Sequence, residues 1–191
     1  MQKHAPTMND ITREMFKRAI VASAPQLGVK HPAQVVEKLH RGECDQCNKV
    51  RINLARQVAE YLASVDADLR AVYFYNPEYA AGDYDSPFAE PNRSSAIYLM
   101  AWTRDRKFAP MRVLDGLTEA FDRARIQVVC PNATALCFSL DVQVVDDAQV
   151  RGRKGYAVMI DSYNARPTQV WPKEHVDVRT KMQTRKMPLM F

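Results

Sequence analysis

Apolar residues recur at helical spacing in three stretches of the first 65 residues. Thr7 precedes the first stretch as a helix cap, and Pro25 and Gly28 end it. Pro32 suits the first turn of a second, short helix that ends near Gly42. A third helix carries the longest apolar stripe, formed by Val50, Leu54, Val58, Tyr61, Leu62 and Val65. The pattern predicts an N-terminal three-helix unit.

From residue 69 the pattern changes to short segments rich in β-branched and aromatic residues, with an amphipathic helix that opens at Pro110. The segments predict strands at residues 69–75, 95–103, 126–130, 136–145 and 155–161, and the last two are expected to pair as a hairpin. The fold class that follows is α+β: an N-terminal three-helix unit, then a mainly antiparallel sheet with one packed helix, and an extended C-terminal arm.

Three parts of the chain follow from these elements: a helical unit at residues 1–65, an α+β domain at 66–162 and a basic arm at 163–191. Residues 76–94 form a long segment with several prolines and acidic residues, of the kind that is usually functional or disordered. Trp171 and the apolar residues 187–191 are costly to expose, so we expect the arm to dock on its own domain or on a neighbour.

Composition narrows the class of protein. The 191 residues are 47% hydrophobic and 26% charged, which is typical of a globular chain. The N-terminus lacks an apolar signal segment, and no run of eighteen apolar residues occurs, so we expect a cytoplasmic protein without membrane contact. In a reducing compartment, four irregularly spaced cysteines favour metal binding or plain burial over a disulfide scaffold.

The net charge of +5 is unevenly distributed. Residues 1–60 have ten basic and six acidic residues. Residues 61–150 have eight basic and thirteen acidic residues, and residues 151–191 have nine basic and three acidic residues. Basic ends could contact nucleic acid or an acidic partner, and the Arg151–Gly155 segment could present such a basic tip. The alternative is that these charges solvate the surface.

One motif carries specific chemistry: His40, Cys44 and Cys47 form a His-x3-Cys-x2-Cys run between the second and third helices. A Cys-x2-Cys turn supplies two thiolates to one zinc ion, and the start of the third helix favours the thiolate form. His40 lies about one helical turn before Cys44 and could offer a ring nitrogen. A redox-active dithiol, or ordinary thiols beside a solvated histidine, are the alternatives.

A tetrahedral zinc site needs a fourth ligand. His31 is nine residues before His40, roughly 13 Å along a continuous helix, which is too far. If the first two helices are antiparallel, the start of the first lies beside the end of the second, and His4 or Asp10 becomes the better candidate. The nearby carboxylates of Glu43 and Asp45, or a water molecule, are further possibilities.

The arrangement resembles the zinc-binding anti-sigma-factor domains of bacteria. The resemblance covers residues 7–65 and rests on His40, Cys44 and Cys47, together with the helix pattern around them. It implies a fourth ligand from the region of the first helix, which by position is His4 or Asp10. It also implies a module that binds a sigma factor and, in some members, releases it when the thiols are oxidised. The remainder of the chain matches no partner domain of that family.

Other groups give weaker signals. Cys130 and Cys137 stand in apolar surroundings and are expected to be buried thiols, with a share in a metal site as the alternative. Asp83 and Asp85 in the 76–94 segment could hold Mg²⁺ or Ca²⁺, but the favoured interpretation is a solvated acidic loop or one that docks on a basic surface. No phosphate-binding loop, dinucleotide fingerprint or nucleophile motif occurs, which favours a non-enzymatic protein.

Three functions remain as hypotheses. The first is a protein-binding regulatory module, zinc-dependent and anti-sigma-like, with a sigma-factor-like partner. The second is a structural subunit of a larger assembly, which contacts neighbouring subunits through residues 76–94 and the C-terminal arm. The third is an enzyme with its site at residues 76–94.

Overall fold

The computed structural model describes residues 5–41, 44–75, 96–105, 111–129, 138–161 and 167–172, without the side chains of residues 44–47 and 111–112. The helices in these ranges are α1 (Met8–Gln26), α2 (Pro32–His40), α3 (Cys44–Val65), α4 (Met111–Val128) and α5 (Asp147–Gly152), followed by a 3₁₀ helix (Gly155–Asp161). The strands are β1 (Leu69–Tyr75), β2 (Ile97–Thr103), β3 (Leu140–Asp146) and β4 (Thr168–Trp171), which form one sheet. The predicted α+β class is confirmed.

Helix α1 begins at the predicted cap. The hydroxyl of Thr7 accepts a hydrogen bond from the backbone N–H of Asp10, whose carboxylate accepts the backbone N–H of Thr7 at 3.1 Å and its hydroxyl at 2.6 Å. This capping box satisfies N–H groups that the first helical turn cannot pair. The hydrogen bonds from the side chain and then the backbone of Thr7 lower the pKa of Asp10.

Helices α1 and α3 run in opposite directions. Near the end of α1, the ammonium of Lys49 donates to the backbone carbonyl of Gln26 at 2.7 Å. At the start of α1, Asp10 shares a surface cavity with Tyr61 in the last two turns of α3. The first turn of α3 is therefore near the end of α1, and the last turns of α3 lie beside the start of α1.

The predicted stripe of α3 is buried along most of its length. It faces α1, whose Phe16 ring lies 4.6 Å from the ring of Phe121 in α4. The hydroxyl of Thr12 donates to the carbonyl of Ala120 at 3.2 Å, a second link between α1 and α4. Val65, at the end of the stripe, remains exposed. The stripe residues without exposed surface are Val50, Leu54, Val58 and Leu62.

The sheet has the strand order β3-β2-β1-β4 in the described part of the chain. β1 pairs antiparallel with β2 and with β4, whereas β2 and β3 are parallel from Ile97 opposite Leu140 to Thr103 opposite Asp146. Parallel neighbours need a crossover connection, and α4 lies between β2 and β3 in the chain. Two of the three pairings are thus antiparallel, as the sequence predicts.

Two strand predictions were wrong. Residues 155–161 form the 3₁₀ helix, so the expected hairpin with residues 136–145 does not exist. Arg153 and Gly155 both have positive φ, 49° and 57°, and turn the chain away from a strand path. Residues 126–128 belong to α4, which ends at Val128.

The second face of the sheet is covered by α5 and the 3₁₀ helix, through Val150, Ala157, Met159 and Ile160. Asp147 in the first turn of α5 binds the sheet directly. It accepts a hydrogen bond from the guanidinium of Arg70 at 2.7 Å and one from the indole N–H of Trp102 at 2.9 Å. The guanidinium of Arg70 also lies 5.8 Å from the centre of the Trp102 ring. These contacts fix α5 to both β1 and β2.

Part of the C-terminal arm docks on its own sheet as β4. Val170 of this strand is buried and belongs to the same hydrophobic core as α1, α3 and α4. That core contains residues from both sides of the predicted boundary at residues 65 and 66, so the helices pack directly on the sheet. Which of the three predicted parts folds independently stays a prediction. Among the described helices, none has the length and apolar character that crossing a membrane requires.

Candidate metal centre at His40

His40 is the last residue of α2, at the link to α3. Its ring nitrogen Nε2 lies within hydrogen-bond distance of the backbone carbonyl of Val129, at the end of α4. Because a carbonyl oxygen only accepts, this contact places the ring proton on Nε2, and Nδ1 then has the lone pair that a metal ion requires. The contact therefore suits a histidine that binds metal through Nδ1.

Cys44 and Cys47 lie in the first turn of α3, so the motif is helical where a preceding turn was expected. Residues three apart on a helix share one face, with Cβ atoms roughly 5–6 Å apart. Unpaired N–H groups at a helix start also favour thiolates. The side chains of both cysteines lie outside the described residues, so two thiolates on one zinc ion remain an expectation from the backbone.

The proposed fourth ligands have different positions. His4 and Glu43 lie outside the described residues, as does the side chain of Asp45. Asp10 is described, and its carboxylate is engaged in the capping box with Thr7. In the part of the chain that the structure covers, no three His, Cys, Asp or Glu residues come together to hold a metal ion.

Sequence reasoning missed that the end of α4 meets the end of α2. The contact joins His40 to Val129, 89 residues later. Val129 is fully buried, and its backbone N–H donates to the carbonyl of Arg125 at 3.0 Å, which extends the hydrogen-bonding of α4 by one residue. No feature of residue spacing connects these two segments, which is why the sequence did not predict the contact.

The other candidate segments are only partly described. Residues 76–94, with Asp83 and Asp85, lie outside the described residues, as do Cys137 and residues 187–191. Residues 151–155 do not form a hairpin tip: they run from the last turn of α5 to the first residue of the 3₁₀ helix, with Arg153 and Lys154 as the link. Their side chains at Arg151, Arg153 and Lys154 are exposed, and Arg153 approaches Asp161 at 3.6 Å.

Three tyrosines, Tyr75, Tyr98 and Tyr156, form a cluster on the second face of the sheet. The rings of Tyr98 and Tyr156 lie 5.7 Å and 5.8 Å from the ring of Tyr75. Burial raises the pKa of Tyr75 well above its ordinary value, and the charge of Asp141 raises it further. A neutral, buried phenol of this kind is a packing element at ordinary pH.

Comparisons of the chain with protein-family models, curated proteins and solved structures found no match. The likeness to anti-sigma-factor domains therefore rests on His40, Cys44, Cys47 and the surrounding helices alone.

Proposed function

We propose that the chain is a non-enzymatic, protein-binding regulatory module whose helices are held in their binding arrangement by zinc. The contact between His40 and Val129 is the observation that carries this proposal, because it orients one candidate ligand at the link between α2 and α3. The first turn of α3 contributes Cys44 and Cys47 four and seven residues later. A single ion bound there would connect the ends of two helices.

Zinc would contribute to folding as well as to shape. α2 has nine residues, and Val35 is its one buried residue in the described range, so its own packing is slight. Because a preformed site rarely exists in the unfolded chain, the free energy of metal binding adds to the free energy of folding. At a free zinc concentration 1,000 times the Kd, the gain is about 4 kcal/mol.

The partner expected from the resemblance is a sigma factor or a protein of that kind. Such a partner would bind the surface of the helical unit, and oxidation of the thiols would release zinc and the partner together. The alternative, a structural subunit, has weaker support because β4 of the arm already pairs with β1 of the same chain. Tyr156 and Val158 are among the exposed apolar side chains of the described residues, and their position together on the 3₁₀ helix favours it.

The first test is the zinc content of protein purified without added metal. We expect about one zinc ion per chain, and its loss in a Cys44→Ser/Cys47→Ser variant together with lower thermal stability. A Cys137→Ser variant is the matched control for removal of a thiol. Absence of zinc from the unmodified chain, with normal folding of the double variant, contradicts the proposal.

The second test addresses the partner. Purified sigma factors from the organism that encodes the chain are titrated with the zinc-loaded, reduced protein and with the chelated or oxidised protein. The proposal expects one complex that forms with the first sample and is lost with the second. A chain that self-associates and ignores chelators would instead favour the structural subunit.

A further inference from the structure

The residues that follow the last buried position of α5 are all exposed, from Arg151 to Tyr156. Three of them, Arg151, Arg153 and Lys154, are cations, and the ring of Tyr156 is 44% exposed. Val158, two residues later, is 50% exposed. These five side chains form a basic–aromatic patch on the surface.

Local hydrogen bonds fix the backbone beneath the patch. The N–H of Arg153 donates to the carbonyl of Val150 at 3.3 Å, and the N–H of Lys154 donates to the carbonyl of Gln149 at 3.0 Å. Arg153 has left-handed backbone angles, φ 49° and ψ 53°, at a helix end where glycine is the usual residue. An arginine in this conformation is uncommon, and its side chain stands exposed at the turn.

The three cations belong to one compact turn. Gly152 separates Arg151 from Arg153 in the chain, and the aliphatic stem of Lys154 lies against it. A Cβ atom at Gly152 would be 3.5 Å from Cγ and Cε of Lys154. The stem of the lysine therefore packs on the residue between the two arginines, and all three charges project from the same end of α5.

The two carboxylates within α5 and the 3₁₀ helix neutralise little of this charge. Asp147 is bound to the guanidinium of Arg70 at 2.7 Å. Asp161 lies 3.6 Å from Arg153, but the side chains of Arg153 and Asp161 are 71% and 52% exposed. An ion pair this exposed is weak in water. The patch therefore has a net positive charge.

The ring of Tyr156 is held in place by the tyrosine cluster. It lies 5.8 Å from the ring of Tyr75 at an interplanar angle of 48°. Tyr75 is buried and also contacts the half-buried ring of Tyr98 at 5.7 Å. A ring that is already held by its neighbours loses little side-chain entropy when a ligand packs on it.

We propose that the basic–aromatic patch binds single-stranded nucleic acid without sequence preference. Such binding combines cations along the phosphate backbone with aromatic rings on which bases stack. Tyr156 stacks on one base, and the three cations contact neighbouring phosphates. In a duplex the bases are stacked on one another, so the ring gains little there. A helix that lies on a membrane buries a whole apolar face, whereas the patch has two apolar side chains. The proposal is independent of the zinc site.

The test is fluorescence anisotropy of the full chain with a labelled uridine strand of about twelve nucleotides. Three phosphate contacts on a single strand contribute about −2 to the slope of log affinity against log salt. The variant Arg151→Gln/Arg153→Gln/Lys154→Gln should therefore make the slope less steep by about 2. At about 50 mM salt it should also bind at least ~10-fold more weakly.

A matched control removes the same charge from exposed positions of the helical unit, by Lys17→Gln/Arg18→Gln/Lys30→Gln. This control should keep the slope and the affinity of the unmodified chain. An equal loss in both triple variants would mean that the strand is held by overall charge, and it would overturn the proposal. No binding of the unmodified chain at about 50 mM salt would overturn it as well.

The stacking contact is tested separately from the charges. Tyr156→Ala should weaken binding of the uridine strand roughly 5- to 150-fold with an unchanged salt slope. Tyr156→Phe keeps the ring and should bind as the unmodified chain does. Unfolding midpoints of both variants establish that the fold is retained. If Tyr156→Ala unfolds because it loses the contact with Tyr75, the exposed charge variant decides the question.

The choice of probe distinguishes the partners. A uridine or a thymidine strand that binds through the patch supports the proposal, and the tighter of the two identifies the sugar. A duplex of the same length that binds as tightly as the single strands contradicts it, because the ring then contributes nothing. Phosphatidylserine vesicles that bind through the patch when neither strand does would overturn it and assign the patch to a membrane surface.

Discussion

Replacement of Asp147 by alanine should destabilise the fold more than removal of an ordinary surface carboxylate. Its two oxygens accept from the guanidinium of Arg70 at 2.7 Å and the indole N–H of Trp102 at 2.9 Å. The side chains of Arg70 and Asp147 are 25% and 18% exposed, so water replaces the lost partner only in part. The variant therefore removes the acceptor of a buried indole N–H and one of the partners of a mostly buried guanidinium.

The magnitude follows from these two groups. A hydrogen bond to a charged group contributes about 1.5–3 kcal/mol, and an unsatisfied buried N–H costs about 1–3 kcal/mol. With partial access of water to Arg70, we expect Asp147→Ala to lower the free energy of unfolding by about 3 kcal/mol. In a chain of this size, such a loss of unfolding free energy corresponds to a decrease in Tm of roughly 6–12 °C. Asp147→Asn keeps one acceptor oxygen and should lose about half as much.

The assay is urea unfolding followed by fluorescence in a Trp171→Phe background, where Trp102 is the remaining tryptophan of the two in the chain. Asp161→Ala is the matched control, because that carboxylate lies 3.6 Å from Arg153 but both side chains are more than half exposed. Such a pair contributes roughly 0–1 kcal/mol. A loss for Asp147→Ala below ~1 kcal/mol, or no larger than that of Asp161→Ala, would refute the reasoning.

The remaining predictions concern the helices and the pH limits of the fold. Phe121→Ala removes a fully buried ring packed on α1 and should cost about 3–5 kcal/mol in urea unfolding, and a loss under ~1 kcal/mol would argue against the α1–α4 contact. Thr7→Ala removes the cap of α1 and should cost about 1 kcal/mol by the same assay, whereas an unchanged midpoint would mean that the cap is not formed. Because the pKa of Asp10 is lowered on folding, its contribution is present above its ordinary value of 3.8 and is lost as the pH falls through the folded value. The stability difference between the unmodified chain and Asp10→Asn should therefore shrink in that acid range, and a difference constant with pH would exclude the capping role. The pKa of Tyr75 is raised on folding, so stability is complete below the ordinary value of 10.0 and falls as the pH rises above it. Stability measured against pH should decline less steeply there for Tyr75→Phe, and parallel curves for the two proteins would contradict the burial of the phenol.

Helices α1 to α4 were predictable because each one has a local signal, whereas the short helix α5 was not predicted. Thr7 with Asp10 marks the start of α1, Pro32 marks α2, and the stripe from Val50 to Leu62 follows the buried face of α3. These signals act within one or two turns of the chain, where spacing and capping decide the backbone conformation. Tertiary packing was not needed to recognise them.

The 3₁₀ helix shows where periodicity fails. In residues 156–159 exposed and buried side chains alternate, with Tyr156 and Val158 outside and Ala157 and Met159 inside. A half-buried strand gives the same alternation. The turn at Arg153 and Gly155 decides between them, and the positive φ of an arginine is not visible in the sequence. The strand prediction at residues 126–128 is wrong for a related reason, because a short apolar run fits either a strand or the end of a helix.

Only the part of the candidate metal site that lies within one short segment of the chain was predictable from the sequence. His40, Cys44 and Cys47 are within eight residues, so their spacing is a sequence feature. The fourth ligand depends on which distant segment packs there, and the expected antiparallel pairing of the first two helices pointed to His4. The structure pairs α1 with α3 in the antiparallel sense and brings the end of α4 to His40, and His4 stays a prediction. Non-local packing of this kind has no signature in residue spacing.

The pairing of β1 with β4 has a consequence for the order in which the protein can fold during synthesis. β1 ends at Tyr75 and β4 begins at Thr168, so about 90 residues separate a central strand from its second neighbour. At roughly 5–20 residues per second, a ribosome needs about 5–20 s to synthesise that interval. Throughout that time the backbone N–H and C=O groups on one side of β1 have no partner from their own sheet. A nascent chain of this protein thus presents an open edge to which a chaperone, or a second nascent chain on the same messenger, can add a strand.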